Sequence, residues 1–180
     1  TLYAGAASGG MYVHSTDTNL LKALYPNVTN AETLRKLTNN TTSWHLVRYI
    51  NPTTQKEEIL PISAMVQGPD GTIYVGTGDD TYNIGSTYGP MSSKGRGIFR
   101  YNPNDGSFKV IPYSSPEQNE LFGAVRKLDY IQRDNKLYLF AATNTGLYRW
   151  TIDLSQNDTE SQWNNSASLV QSGSVEQMVL

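Results

Sequence analysis

One pattern returns three times along the chain and restricts the folds open to it. The strings "LYAGAASGGMYVHSTD" (Leu2 to Asp17), "IYVGTGDD" followed by "GRGIFRYNPND" (Ile73 to Asp80, Gly95 to Asp105) and "LYLFAATNTGLYRWTID" (Leu137 to Asp153) follow one plan. Each begins on an aliphatic–tyrosine pair: Leu2-Tyr3, Ile73-Tyr74, Leu137-Tyr138. Each then passes through small residues to a glycine (Gly10, Gly97, Gly146), resumes with an apolar–aromatic pair (Met11-Tyr12, Ile98-Phe99, Leu147-Tyr148) and reaches an acid (Asp17, Asp105, Asp153). Apolar and polar residues alternate with period two, which places these runs on strands. The intervening glycines supply the positive φ that hairpin turns require. Every unit therefore contains a hairpin.

Two more strands complete a unit. "ISAMVQGPDG" (Ile62 to Gly71) and "VRKLDYIQRDN" (Val125 to Asn135) precede the second and third copies and end on turn signals. After each acid comes an aromatic in a mixed polar and apolar run: Trp44, Phe108, Trp163. Four short antiparallel strands, repeated at intervals of roughly 65–70 residues, predict an all-β chain with the layout of a β-propeller segment of about three four-stranded blades. The expected division is a partial blade over 1–60, blades over 61–115 and 124–172, and the first strand of another in "SVEQMVL" (174–180). Propellers close with about four to eight blades, so the expectation is a part of a larger propeller. The interval exceeds the ~40–50 residues of common blades, which requires insertions. One is read as a short helix from Asn30 to Leu37, opened by Thr29 and Glu32 as a capping box. The other is the Gly-, Ser- and Tyr-rich loop 79–96, set inside the middle hairpin.

These strings resemble the Asp-box (BNR) β-propeller repeats of sortilin-type and xyloglucanase-type proteins, secreted bacterial members in particular. In that family a "YVGT…GGxxxSTDGGxTW" string recurs in each blade, with the acid in a hairpin turn and the Trp packed behind it. The resemblance covers residues 1–17, 44–50, 62–112 and 125–163. It implies that Asp17, Asp105 and Asp153 are turn acids and that Trp44, Phe108 and Trp163 occupy equivalent buried positions. The box is intact nowhere. Asp17 is separated from Trp44 by an insertion, Asn102 and Phe108 replace the Ser and Trp, and no glycine follows Asp153. Secretion or display on a bacterial cell surface, extracellular or periplasmic, is implied by the same likeness.

Composition narrows the function classes. A formal net charge of −2, with basic residues scattered singly, offers no footprint for nucleic acid. No apolar run approaches the ~18 residues of a membrane-spanning helix. With no cysteine, thiolate zinc sites and cysteine nucleophiles are excluded. His14 and His45 stand on separate predicted strands without a third ligand, so no metal site is assigned. No cofactor is assigned: Asp79 and Asp80 supply hard oxygen ligands of the kind Ca2+ takes, but they read first as a solvated acidic loop. "GTGDD" lacks the Gly-Lys-Ser/Thr ending and the following helix of a phosphate loop. Arg100 and Arg149 hold corresponding places in two units, which makes them features of the repeat rather than an arginine clamp.

Ligand recognition is assigned to the long loop, where Asp79, Asp80, Tyr82, Tyr88, Lys94 and Arg96 gather acidic, aromatic and cationic groups. The expected function is a non-catalytic binding or scaffold module that recognises a protein or carbohydrate partner, or packs on the remainder of its own propeller. The rival expectation is part of a glycan-active enzyme, a xyloglucanase- or sialidase-like glycoside hydrolase with catalytic residues partly outside this chain.

Overall fold

The computed structural model describes residues 1–6, 10–39, 43–78, 97–111, 124–156, 163, 168–173, 175 and 178–180. These form antiparallel sheets and two short helices, so the chain is mostly β. The first sheet contains β1 (Leu2–Ala6), β2 (Gly10–His14) and β3 (His45–Val47). Between β2 and β3 run α1 (Thr18–Leu24) and α2 (Ala31–Asn39). A small hairpin of β4 (Tyr49–Ile50) and β5 (Glu57–Glu58) follows. Two four-stranded meanders complete the chain: β6 (Ile62–Gln67), β7 (Ile73–Thr77), β8 (Ile98–Tyr101) and β9 (Phe108–Ile111), then β10 (Val125–Arg133), β11 (Lys136–Thr143), β12 (Gly146–Asp153) and β13 (Ser168–Ser172).

The two meanders repeat down to their irregularities. In β6 the pairing steps from Ile62–Thr77 to Ala64–Gly76, leaving Ser63 as an extra residue. In β10 it steps from Val125–Thr143 to Lys127–Ala142, leaving Arg126 extra. A bulge at the same register position in both sheets bends the first strand alike. The Thr77 hydroxyl donates to Gly97 O at 2.6 Å and the Thr143 hydroxyl to Gly146 O at 2.8 Å. Gly78 N–H donates to Pro61 O, and Asn144 N–H to Ala124 O, each tying the end of the second strand to the residue that precedes the first.

This register corrects the alignment of the repeats. Counting from the hairpin glycines, Gly5, Gly76 and Ala142 are equivalent, because they pair with Met11, Ile98 and Leu147. Tyr3 and Tyr74 therefore match Phe140, and the Leu137-Tyr138 pair lies two residues farther out. The cause is the turn at the far end. Asp134 and Asn135, with φ of 49° and 59°, form a two-residue hairpin turn that lets β10 and β11 run long. The β6–β7 connection spends five residues, 68–72, and Gly71 there has φ of 84°.

The middle sheet is covered on both faces, and its sequence says why. Strands buried on both sides read as continuous apolar runs, and every residue of β7 and β8 is buried. Ile73, Val75, Phe99 and Tyr101 face the first sheet and join Met11, Val13 and Val47. Tyr74 and Ile98 face the last sheet and join Leu137, Leu139, Trp150 and Ile152. The sheets meet where β1 lies against β6 and where β6 and β7 lie against β10. A Cβ added at Gly5 would stand 2.3 Å from the Ile62 side chain, and one at Gly76 would stand 2.5 Å from that of Val125.

Several elements differ from expectation. Asp17 is the N-cap of α1, accepting from Asn19 N and Leu20 N, rather than a hairpin-turn acid. In α2 the cap is Asn30, which accepts from Glu32 N at 2.9 Å and Thr33 N at 3.2 Å, and Thr29 precedes it. Trp44 does not share a buried position with the other two aromatics: it is 47% exposed and lies over His14 with ring centroids 5.6 Å apart. Phe108 is half-buried opposite Tyr101. Trp163 is buried but lies outside β13, which begins at Ser168 opposite Arg149.

Candidate functional site

Between the two meanders a cleft of about 220 Å3 opens at the ends farthest from the glycine hairpins. The β6–β7 turn supplies Asp70 to its lining, β10 supplies Gln132, and the end of β12 with its following turn supplies Asp153 and Gln156. Arg100, Tyr74 and Trp163 complete it from within. Arg100 reaches this side because it shares a strand face with Ile98 and pairs across the sheet with Tyr74. Its guanidinium lies 5.1 Å from the centre of the Trp163 ring, a cation–π contact, and Trp163 also packs on Tyr74 at 5.7 Å. With only 5% of Arg100 exposed, a delocalised charge on an aromatic face is a chemically favourable way to hold it.

The carboxylates of the cleft are built into turns. Asp70 accepts from Thr72 N at 3.1 Å and from the Thr72 hydroxyl at 2.8 Å. Asp153 accepts from Ser155 N at 2.9 Å, from the Ser155 hydroxyl at 2.5 Å and from Gln156 Nε2 at 3.2 Å. The Ser155 bonds, with Gln156 and Lys136 adding to them, hold the Asp153 carboxyl below the usual carboxylate range. Asp105 sits in the β8–β9 turn and accepts from Ser107 N at 2.8 Å. Its partial burial raises its pKa, but the Ser107 bonds and Lys109 outweigh that and leave it lowered. Burial, reinforced by Asp70 and opposed by Arg100, pushes the Tyr74 phenol well up, so it stays protonated. An Asp153 carboxylate held ionised accepts hydrogen bonds, and a Tyr74 phenol held neutral can donate one.

The loop residues assigned to recognition, Asp79, Asp80, Tyr82, Tyr88, Lys94 and Arg96, lie outside the described residues. Their segment joins two paired strands, β7 and β8, between Gly78 and Gly97. The histidines fall on neighbouring strands. His45 is buried and shares a hydrogen bond of 3.0 Å with the Tyr25 hydroxyl, while the His14 ring lies tilted against that of Trp44. Among the described residues no group of three His, Cys, Asp or Glu side chains is placed to hold a metal ion, and no helix is long and apolar enough to cross a membrane.

His45 carries a pH prediction. Burial, and then the charge of His14, lower its pKa. The folded state thus favours neutral His45, whereas the unfolded chain takes up the proton near the ordinary value of about 6.5. Stability is full above that value and declines as pH falls from it through the folded pKa. The thermal midpoint is expected to drop between pH 7.5 and pH 5.5, and His45→Gln should flatten that drop. Equal slopes in both proteins would show that His45 is not its source.

Compared with family models, with curated proteins and with solved structures, the chain matches none.

Proposed function

We propose that the sheets are successive blades of a β-propeller and that the chain is a non-catalytic binding and scaffold module of a secreted or cell-surface bacterial protein. The blade reading is supported by the repeated bulge and by the matching contacts of Gly5 with Ile62 and Gly76 with Val125, which bring each sheet onto the next in the same way. A stack that repeats one inter-sheet step is the local geometry of radial blades. The outward faces of the first and last sheets also keep half-exposed apolar groups such as Tyr12, Leu46, Phe140 and Leu147, as the neighbours of further blades would.

The single observation that carries the binding role is the inter-sheet cleft. Its carboxylates are tied into turns, its arginine lies on a tryptophan ring, and Gln132 on its rim is exposed. Such a pre-organised polar set orients a ligand without needing to reorganise. The partner is a protein or a glycan. The test exposes the purified chain to an array of polysaccharides and to immobilised cell-surface proteins, and in parallel to aryl glycosides. Saturable retention without release of the aryl group is expected. Hydrolysis that disappears in Asp70→Asn or Asp153→Asn would overturn the non-catalytic reading, and absence of any retention would overturn the binding role.

A further inference from the structure

We infer that the cleft between the two meanders takes one neutral pyranose unit of a glycan, an assignment that rests on the binding role proposed above and specifies its ligand. Size is the first constraint. At about 220 Å3 the cleft is smaller than the roughly 300–1,000 Å3 of pockets for drug-sized molecules, so it suits a single small ring. Charge is the second. Asp70 and Asp153 meet an anion with like charge, and a cation has to share the cleft with Arg100. A neutral polyol suffers neither repulsion. Hydrogen bonding is the third. Carboxylates only accept, guanidinium only donates, and the amides of Gln132 and Gln156 do both. Adjacent hydroxyls on a ring, each a donor and an acceptor, can satisfy that mixed set together.

The cleft is also rigid where a sugar needs it to be. Asp70 and Asp153 are fixed by their turns, and Arg100 lies on the Trp163 ring, which itself packs on Tyr74. Little side-chain freedom remains to be lost on binding. Gln132 contributes from the exposed rim of β10, where replacement leaves the core untouched.

The experiment titrates the chain with the methyl glycosides of glucose, galactose, mannose and N-acetylglucosamine, following the three tryptophan indole N–H signals by NMR. One of these sugars is expected to shift the Trp163 signal saturably, with a Kd on the order of 1 mM as befits a ligand of a dozen or so heavy atoms, and to leave Trp44 unmoved. Gln132→Trp, which fills the mouth, should weaken that binding at least tenfold at unchanged melting temperature. Gln132→Ala should weaken it several-fold and serves if the larger variant does not fold. A sugar that binds wild type and both variants alike overturns the cleft assignment. Polysaccharide or protein retention that persists while no glycoside moves Trp163 also overturns it and leaves the binding module standing. Loss of every kind of binding removes both.

Discussion

Truncation of Trp163 to alanine is expected to destabilise the fold by about 3–5 kcal/mol, and the same change at Trp44 by less than about 1 kcal/mol. The two residues play the same part in a sequence alignment of the repeats, and the structure separates them. Trp163 is 2% exposed and belongs to the core between the last two sheets, where its ring covers Tyr74 and the Arg100 guanidinium. Its loss leaves a cavity beside a buried charge that no longer has its aromatic face. Trp44 gives up its contact with His14, and nearly half of its surface already meets water. Urea midpoints at constant m-value measure the difference. Equal costs at the two positions would mean that Trp163 is not in the core, and the cleft behind it would lose its inner wall.

What was legible in the chain was whatever is local. The strands of the two meanders announce themselves through β-branched and aromatic residues between glycine or Asx turns, and α2 through the polar cap ahead of it. The helix α1 carried a readable signal, since Asp17 precedes Leu20, Leu21 and Leu24 at helical spacing, with Leu20 and Leu21 buried. Reading Asp17 as a turn acid of the repeat concealed it. The β4–β5 hairpin has only two residues in each strand, and Glu57-Glu58 shows no apolar alternation, so pairing rather than pattern defines it. The cleft had no local signature at all. Asp70, Arg100, Gln132, Asp153 and Trp163 come from separate elements and meet only because one sheet packs on another. Arg100 was the available clue: a charged residue on a strand that is otherwise fully buried needs a partner from outside its own sheet.

Substitution at Gly76 should be the most informative test of how the sheets meet. A Cβ there would stand 2.5 Å from Val125 Cγ1 and 2.7 Å from its Cβ, closer than carbon atoms pack, and neither strand is free to retreat. The Thr77 and Gly78 bonds on one side and the Val125 bulge on the other fix both backbones. Gly76→Ala is therefore expected to cost about 1–3 kcal/mol through overpacking. Val125→Ala alone removes buried methyl groups and costs on the order of 1–2 kcal/mol. Combined, the new methyl of residue 76 occupies part of the space vacated by Val125, so the double variant should be more stable than the sum of the two losses by at least about 1 kcal/mol. Gly5 and Ile62 form the matching pair one sheet earlier, and Gly5→Ala with Ile62→Ala, which removes the Cγ2 methyl that the new Cβ would meet, should couple with the same sign. Strict additivity at both pairs would show that the sheets do not touch along these strands. Coupling at both would mean that one packing step is used twice, and a step that repeats can be continued by further sheets.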